Sequence, residues 1–332
     1  MSDQVVSIGV DLGGTKIEAA VLKRPRQMLA ESGVDPAKAG FDVILRERVA
    51  TNRDRGYEAI VETTANLIVG VAASAGVDLA ITPVGVGMPG AVTRREGLVK
   101  NSNTVCLNGR PFRTDLMKKV GREIAFENDA NCFALAEARL GAARAHSDGL
   151  VFGVIMGSGV GGGLVFGGKV WAGPQNLAGE WGHHAVGPWG GAEKNPSYGG
   201  TLSPRPVCYC GKTGCLEMYT SGVWVERDYE RRSGTAMKLV EIAARRDSDP
   251  HAKATIEELI EAFGRGLANV IDIIDPSAVV LGGGLSNLDC LYTDGVARVA
   301  KYVFNNELET PILRHKLGDS AGVLGAALLD GS

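Results

Sequence analysis

No apolar run in this 332-residue chain approaches the ~18 residues of a membrane span. The start, Met1-Ser2-Asp3-Gln4, has no basic segment, and the apolar stretch from Val5 to Val10 is too short for a signal-peptide core. Charge of one sign is also lacking. The 35 basic and 38 acidic side chains leave a net charge of −3, which argues against nucleic acid or an anionic membrane as a partner. There is no G-X-Y period, so a collagen-like chain is excluded. Cysteines are few, six in all, but Cys208, Cys210 and Cys215 fall within eight residues. In a reducing compartment such crowding points to a metal before a disulfide framework. These absences predict a cytoplasmic globular protein, and the length predicts two domains of about 150 residues each.

Glycine is abundant: 46 of 332 residues, about twice the usual ~7%. So much glycine must serve turns, or backbone that approaches something closely. VVSIGV runs into Asp11-Leu12-Gly13-Gly14-Thr15-Lys16 and then IEAAVL, which reads as strand, glycine turn, strand. LVFGVIM, a turn with Gly157, Ser158 and Gly159, and LVF repeat the theme about 145 residues later. AVVL entering Gly282, Gly283 and Gly284 is a third glycine turn behind a strand. Helices are expected over 57–75, 115–120, 131–142, 252–274 and 321–330, and strands over 84–88 and 124–126. Residues 172–206, rich in Gly, Pro and Trp without a period, read as a long loop or lid. Two related α/β halves with a cleft between them are the predicted architecture.

Backbone N–H groups bared by glycine make anion cradles, with phosphate the commonest client. Two familiar cradles fail here. A P-loop over Gly163 to Lys169 is followed by Val170, so no hydroxyl is available for Mg²⁺. Gly157, Gly159 and Gly162 match G-x-G-x-x-G formally, but the following residues read as a strand where a dinucleotide site needs a helix. Cys208, Cys210 and Cys215 with an upstream imidazole suit tetrahedral Zn²⁺, and four ligands with no vacancy imply a structural ion. Asp129 suits a general base for a hydroxyl, yet Asn128-Asp129 before a helix is equally a good N-cap.

In order, DLGGTK at 11–16, GVGMPG at 85–90, ENDAN at 127–131, GSGVGGG at 157–163, GEWGHH at 179–184, CYCGKTGCLE at 208–217 and LGGG at 281–284 resemble the sugar kinases of the ROK type (repressor, open reading frame, kinase). The resemblance spans nearly the whole chain. It implies a two-domain actin/hexokinase-like (ribonuclease H-like) α/β fold. The smaller domain is expected over 1–128 and the larger over 129–318, with a final helix at about 319–332 returning to the first. The stretch KNSNTVCLNGRPF and the long segment before Cys208 resemble the bacterial fructokinase and mannokinase branch. That implies ATP- and Mg²⁺-dependent transfer to the 6-hydroxyl of fructose, with mannose, glucose and N-acetylglucosamine as alternatives.

By the same resemblance Asp129 is the catalytic base. Asp11, Gly13, Gly14, Thr15 and Lys16 would take ATP phosphates and Mg²⁺, as would Gly157, Ser158 and Gly159, while Gly282, Gly283 and Gly284 lie against adenosine. Gly90, Asn103, Asn128, Asp129, Glu180, His183 and Glu217 would bind the sugar. His183 rather than His184 completes the zinc set with Cys208, Cys210 and Cys215. A homodimer is implied. The family's repressors carry an added DNA-binding domain, for which a first strand starting at Val5 leaves no room.

Overall fold

The computed structural model describes residues 4–25, 40–93, 95–186, 202, 205–305 and 307–329. In chain order, strands β1 (Gln4–Leu12), β2 (Lys16–Pro25) and β3 (Asp42–Ala50) precede helix α1 (Tyr57–Ser74) and strand β4 (Val84–Met88). A short pair, β5 (Ala91–Val92) and β6 (Val99–Lys100), leads to α2 (Phe112–Val120), β7 (Ala125–Asn128) and α3 (Asp129–Arg139). The theme then restarts with β8 (Leu150–Met156), β9 (Val160–Phe166) and β10 (Lys169–Val170). Helices α4 (Glu217–Thr220), α5 (Gly222–Ser233), α6 (Leu239–Ala244) and α7 (Pro250–Ile274) precede β11 (Ala278–Gly282), α8 (Asp294–Tyr302), β12 (Ile312–Arg314) and α9 (Ala321–Ala327).

The two five-stranded sheets repeat one order, β3-β2-β1-β4-β7 and β10-β9-β8-β11-β12. In the first, β1–β2, joined by a short turn, and β2–β3 are antiparallel, while β1–β4 and β4–β7 are parallel. In the second, β8–β11 and β11–β12 are parallel in the same way. The first two glycine turns therefore each join two neighbouring strands, while the third leads from β11 toward α8. The chain divides into two compact units, one of 1–149, 163–178 and 316–332 and a second of 150–162 and 179–315.

In the first unit Ile8, Val10, Leu12, Ile17, Ile60, Ile68, Val86 and Leu116 form the centre of an apolar core. Close backbone packing explains part of the glycine excess. A Cβ on Gly9 would lie 2.0 Å from the Val323 carbonyl oxygen, and one on Gly85 2.0 Å from that of Ala326, so α9 rests directly on β1 and β4. Helix starts moved toward their caps relative to the sequence reading. Asp249 caps α7 through His251 N–H at 2.8 Å, with Pro250 in the first turn, so that helix begins two residues earlier. α3 likewise begins at Asp129 because Asn128 is its N-cap. Residues 187–201, 203 and 204 of the expected lid lie outside the described residues, as do 330–332 of the expected last helix. Among the described residues no helix is long and apolar enough to cross a membrane.

Candidate functional site

In the first unit the parallel register aligns Asp11 with Gly87, and Met88 with Asn128, so Asp11 and the start of α3 stand at the ends of β1 and β7, the two strands that flank β4. Asn128 does two structural jobs. Its Oδ1 accepts from Ala130 N–H at 2.9 Å, capping α3, and its Nδ2 donates to the Gly90 carbonyl at 2.9 Å. The cap thus falls to Asn128, and Asp129 is the first helical residue, its Oδ1 also accepting from Ala130 N–H at 2.9 Å. Gly90 has φ 82°, and a Cβ there would stand 2.4 Å from the Lys100 carbonyl oxygen, so this position demands glycine. Asn103 is exposed in the loop that follows β6.

Asp11 is a half-buried acid at the end of β1. Burial first, then the charge of Asp129 and of Glu18, push its pKa from 3.8 up to about 7. The first turn of α9 helps cover it, since a Cβ on Gly322 would lie 2.8 Å from Asp11 Oδ2. Glu18, itself buried, is held by Arg46 and by Arg48 at 2.6 Å. Below about pH 4 Asp11 is protonated in both folded and unfolded chains and contributes nothing. As pH rises to 7 the folded chain keeps a proton the unfolded chain has lost, so stability falls, and the penalty is complete above 7. Asp11→Asn removes that penalty. The variant should be more stable than the parent at pH 8, by at most ~4 kcal/mol at about 1.4 kcal/mol per pKa unit. Urea titrations between pH 4 and 8 test this; parallel profiles for the two proteins would contradict it.

The first glycine turn is closed by Gly13 N–H to the Lys16 carbonyl at 2.9 Å and braced by Thr51 Oγ1 to the Gly13 carbonyl at 2.7 Å. Thr15 and Lys16 are left exposed. Buried Thr104 Oγ1 has no hydrogen-bond partner, and a Cβ on Gly14 would lie 3.8 Å from it. An orphaned hydroxyl beneath an open glycine turn fits an anionic ligand. Thr104 was missed by sequence reasoning, because a threonine in a loop carries no spacing signal.

In the second unit two glycine turns stand side by side, since Gly282 pairs with Ile155 and a Cβ on Gly283 would meet the Met156 carbonyl oxygen at 2.4 Å. Ser158, Gly159, Gly283 and Gly284 are exposed. Glu217, nearly buried at the start of α4, does not project freely. Its Oε2 accepts from Val160 N–H at 2.9 Å, just past the turn.

His183, Cys208, Cys210 and Cys215 come together, with one donor atom from each all within 4.8 Å of one another. Cys210 Sγ is 3.6 Å from Cys215 Sγ, and Cys208 Sγ is 3.7 Å from His183 Nδ1. Thiolates ~2.3 Å from a tetrahedral centre stand about 3.7 Å apart, so the separation and the S₃N donor set both fit Zn²⁺. Burial holds the Cys215 thiol up at about 12, so the charge of a cation is what would make it a thiolate. With Nδ1 turned to the sulfurs, His183 Nε2 faces outward, 2.9 Å from Tyr209 Oη and 4.0 Å from Glu180 Oε2. Tyr209 is a second residue the sequence reading passed over, although its place between two ligating cysteines was the available signal. His184, the rejected ligand, is half-buried, edge-on to Trp181 instead.

Residues 7–331 match the ROK family. The chain belongs to the ROK family. It is 37% identical over 325 residues to the N-acetyl-D-glucosamine kinase of Vibrio cholerae, covering 97% of this chain and 98% of that protein. Among solved structures, the ROK hexokinase of Thermus thermophilus superposes with a TM-score of 0.78 at 31% identity, covering 98% and 97% of the two chains. A ROK family glucokinase from Streptomyces griseus, solved with glucose and AMPPNP, gives 0.71 at 28%, covering 98% and 99%. The two-domain actin/hexokinase-like α/β fold is thereby established.

These likenesses overturn the fructokinase and mannokinase branch, and fructose with it, because the extended sequence identity runs to N-acetyl-D-glucosamine kinases. The physical reason lies in the residues that suggested the branch. Asn108 spans Ser102, accepting from its N–H and donating to its carbonyl at 2.9 Å each, and Phe112 is fully buried. Those residues close a loop and fill a ROK core, and so carry no information about one hexose over another. The long segment before Cys208 lies largely outside the described residues.

Proposed function

We propose that this chain is an ATP-dependent kinase that phosphorylates the 6-hydroxyl of N-acetylglucosamine. The observation that carries this reading is end-to-end identity of 37% with N-acetyl-D-glucosamine kinases. The paired glycine turns and the convergence of Glu180, His183 and Tyr209 support it.

In this reading the sugar oxygen attacks the γ-phosphorus of ATP, the bond from that phosphorus to the β-phosphate oxygen breaks, and ADP leaves. Asp129 accepts the hydroxyl proton, as a carboxylate at the start of α3 can. Gly13, Gly14, Thr15 and Lys16 with Gly157, Ser158 and Gly159 take the phosphates, and Gly282, Gly283 and Gly284 the adenosine. Asp11 would hold Mg²⁺, which when bound neutralises phosphate charge; its raised pKa means the cation also relieves a buried repulsion. Asn103, Asn128, Glu180, His183 and Glu217, with the backbone at Gly90, are the sugar ligands. An unpaired polar group among them costs ~1–3 kcal/mol, which is how a site rejects the wrong hexose. Zn²⁺ on His183, Cys208, Cys210 and Cys215 is structural, fixing the outward face of His183.

The test is ADP release with Mg·ATP across N-acetylglucosamine, N-acetylmannosamine, glucose, mannose and fructose. We expect kcat/KM for N-acetylglucosamine to exceed each of the others by about tenfold or more. A higher value for any other sugar would overturn the substrate, and no turnover with any of them would overturn the activity.

A further inference from the structure

Glu217 is held by the backbone it would help to control. The peptide unit joining Gly159 to Val160 is gripped at both ends. Its N–H donates to Glu217 Oε2 at 2.9 Å, and its carbonyl accepts from Gly157 N–H at 2.9 Å. Because that unit is planar, the position of the carboxylate sets the tilt of the carbonyl that closes the turn. The contact is tight, since a Cβ on Gly159 would stand 3.0 Å from the same Oε2. A few residues on, Gly222 N–H donates to the Gly157 carbonyl at 2.8 Å. Residues 217–222 therefore hold the turn at two points while Ser158 and Gly159 stay exposed between them.

We propose that Glu217 is a positioning residue that couples sugar occupancy to the 157–160 turn, so that sugar and nucleotide bind with positive cooperativity. The inference rests on the function proposed above, which makes Glu217 a sugar ligand. An ionised carboxylate has about four acceptor sites, so a sugar hydroxyl on Oε1 leaves Oε2 for Val160. Sugar bound there fixes a side chain that the turn depends on, and nucleotide then binds a turn already ordered. By linkage the effect is reciprocal.

Calorimetry with a non-hydrolysable ATP analogue and Mg²⁺, with and without N-acetylglucosamine, tests the coupling. In the parent protein each ligand should tighten the other by about fivefold or more. Glu217→Ala should weaken nucleotide binding several-fold even without sugar, a change that a pure sugar ligand would not produce. Glu217→Gln keeps an acceptor for Val160 N–H and should restore nucleotide affinity without restoring sugar affinity. Unchanged sugar-free nucleotide affinity in Glu217→Ala, or no rescue by Glu217→Gln, overturns the proposal. Should Glu217→Ala fail to fold by circular dichroism, Gly159→Ala serves instead. Its methyl crowds Oε2, so sugar affinity without nucleotide should fall several-fold, and an unchanged value overturns the coupling. A parent protein that binds both ligands independently sinks this inference alone, whereas one that binds neither sinks the kinase reading beneath it.

Discussion

Asp129→Asn should lower kcat by roughly 10²–10⁴-fold, the range a positioned general base contributes, while leaving the sugar Kd nearly unchanged. The separation between rate and binding follows from how the start of α3 is built. Asn128, not Asp129, supplies the N-cap and holds Gly90, so the substitution leaves both bonds in place. An asparagine at 129 can still accept from Ala130 N–H through its own side-chain oxygen, as Asp129 does now. What is lost to stability is an acidic group in the first helical turn, ~0.3–1 kcal/mol. A second signature distinguishes loss of charge from loss of fold. After burial, Asp129 is the next cause of the raised pKa of Asp11, so Asp129→Asn should also flatten the decline in stability between pH 4 and 7. Steady-state kinetics, sugar calorimetry and urea titration check the three parts, and an unchanged kcat would remove Asp129 from the role of base.

Removing the metal should have the next largest effect. The S₃N cluster joins the Trp181–His183 turn to the segment leading into α4, through Ala185 paired with Cys215 and Leu216 N–H to the His184 carbonyl at 3.0 Å. Without a cation the four donor atoms are held together by a few backbone bonds and by the weak Cys210–Cys215 and Cys208–His183 contacts. His183 then loses its fixed orientation, and Glu180 and Tyr209 lose the partner they converge on. Treatment with a strong chelator, followed by metal analysis, should raise the N-acetylglucosamine Kd about tenfold, the equivalent of one unpaired polar contact of ~1–3 kcal/mol. Tm should fall by roughly 5 °C or more, since the proposed ion would favour the folded chain, where the four donors are gathered. Restoring Zn²⁺ should restore both. Full affinity in demonstrably metal-free protein would rule out the bracing role.

Much of the candidate site is legible in the sequence because its signals are local. Cys208, Cys210 and Cys215 carry their spacing with them, and the strand, glycine turn, strand pattern recurs wherever a chain must double back beside an exposed backbone. Thr104 was not legible, since a lone hydroxyl acquires meaning only from what folds over it, whereas Tyr209 stands between two cysteines of the cluster and could have been read there. The hexose was misjudged for a related reason. Asn108 and Phe112 are constrained by loop closure and by burial, so the part of the pattern they supply speaks of packing rather than of one hexose over another.

What the sequence determined by itself is therefore the set of chemical parts and the repeated supersecondary theme: two glycine-turn sheets, a thiol and imidazole cluster, and an acid opening a helix. Only the tertiary structure decided which of Asn128 and Asp129 caps that helix. It alone packs the first turn of α9, some 310 residues away in sequence, against Asp11, and brings Asp129 near enough to raise its pKa. It alone brings Glu217 onto Val160, across 57 residues, where a side chain becomes part of a backbone turn. Hydrogen-bond partners and dielectric surroundings are properties of neighbours in space. A chain read in one dimension names the groups that can ionise, cap or ligate, while burial and approach decide which of those things each group does.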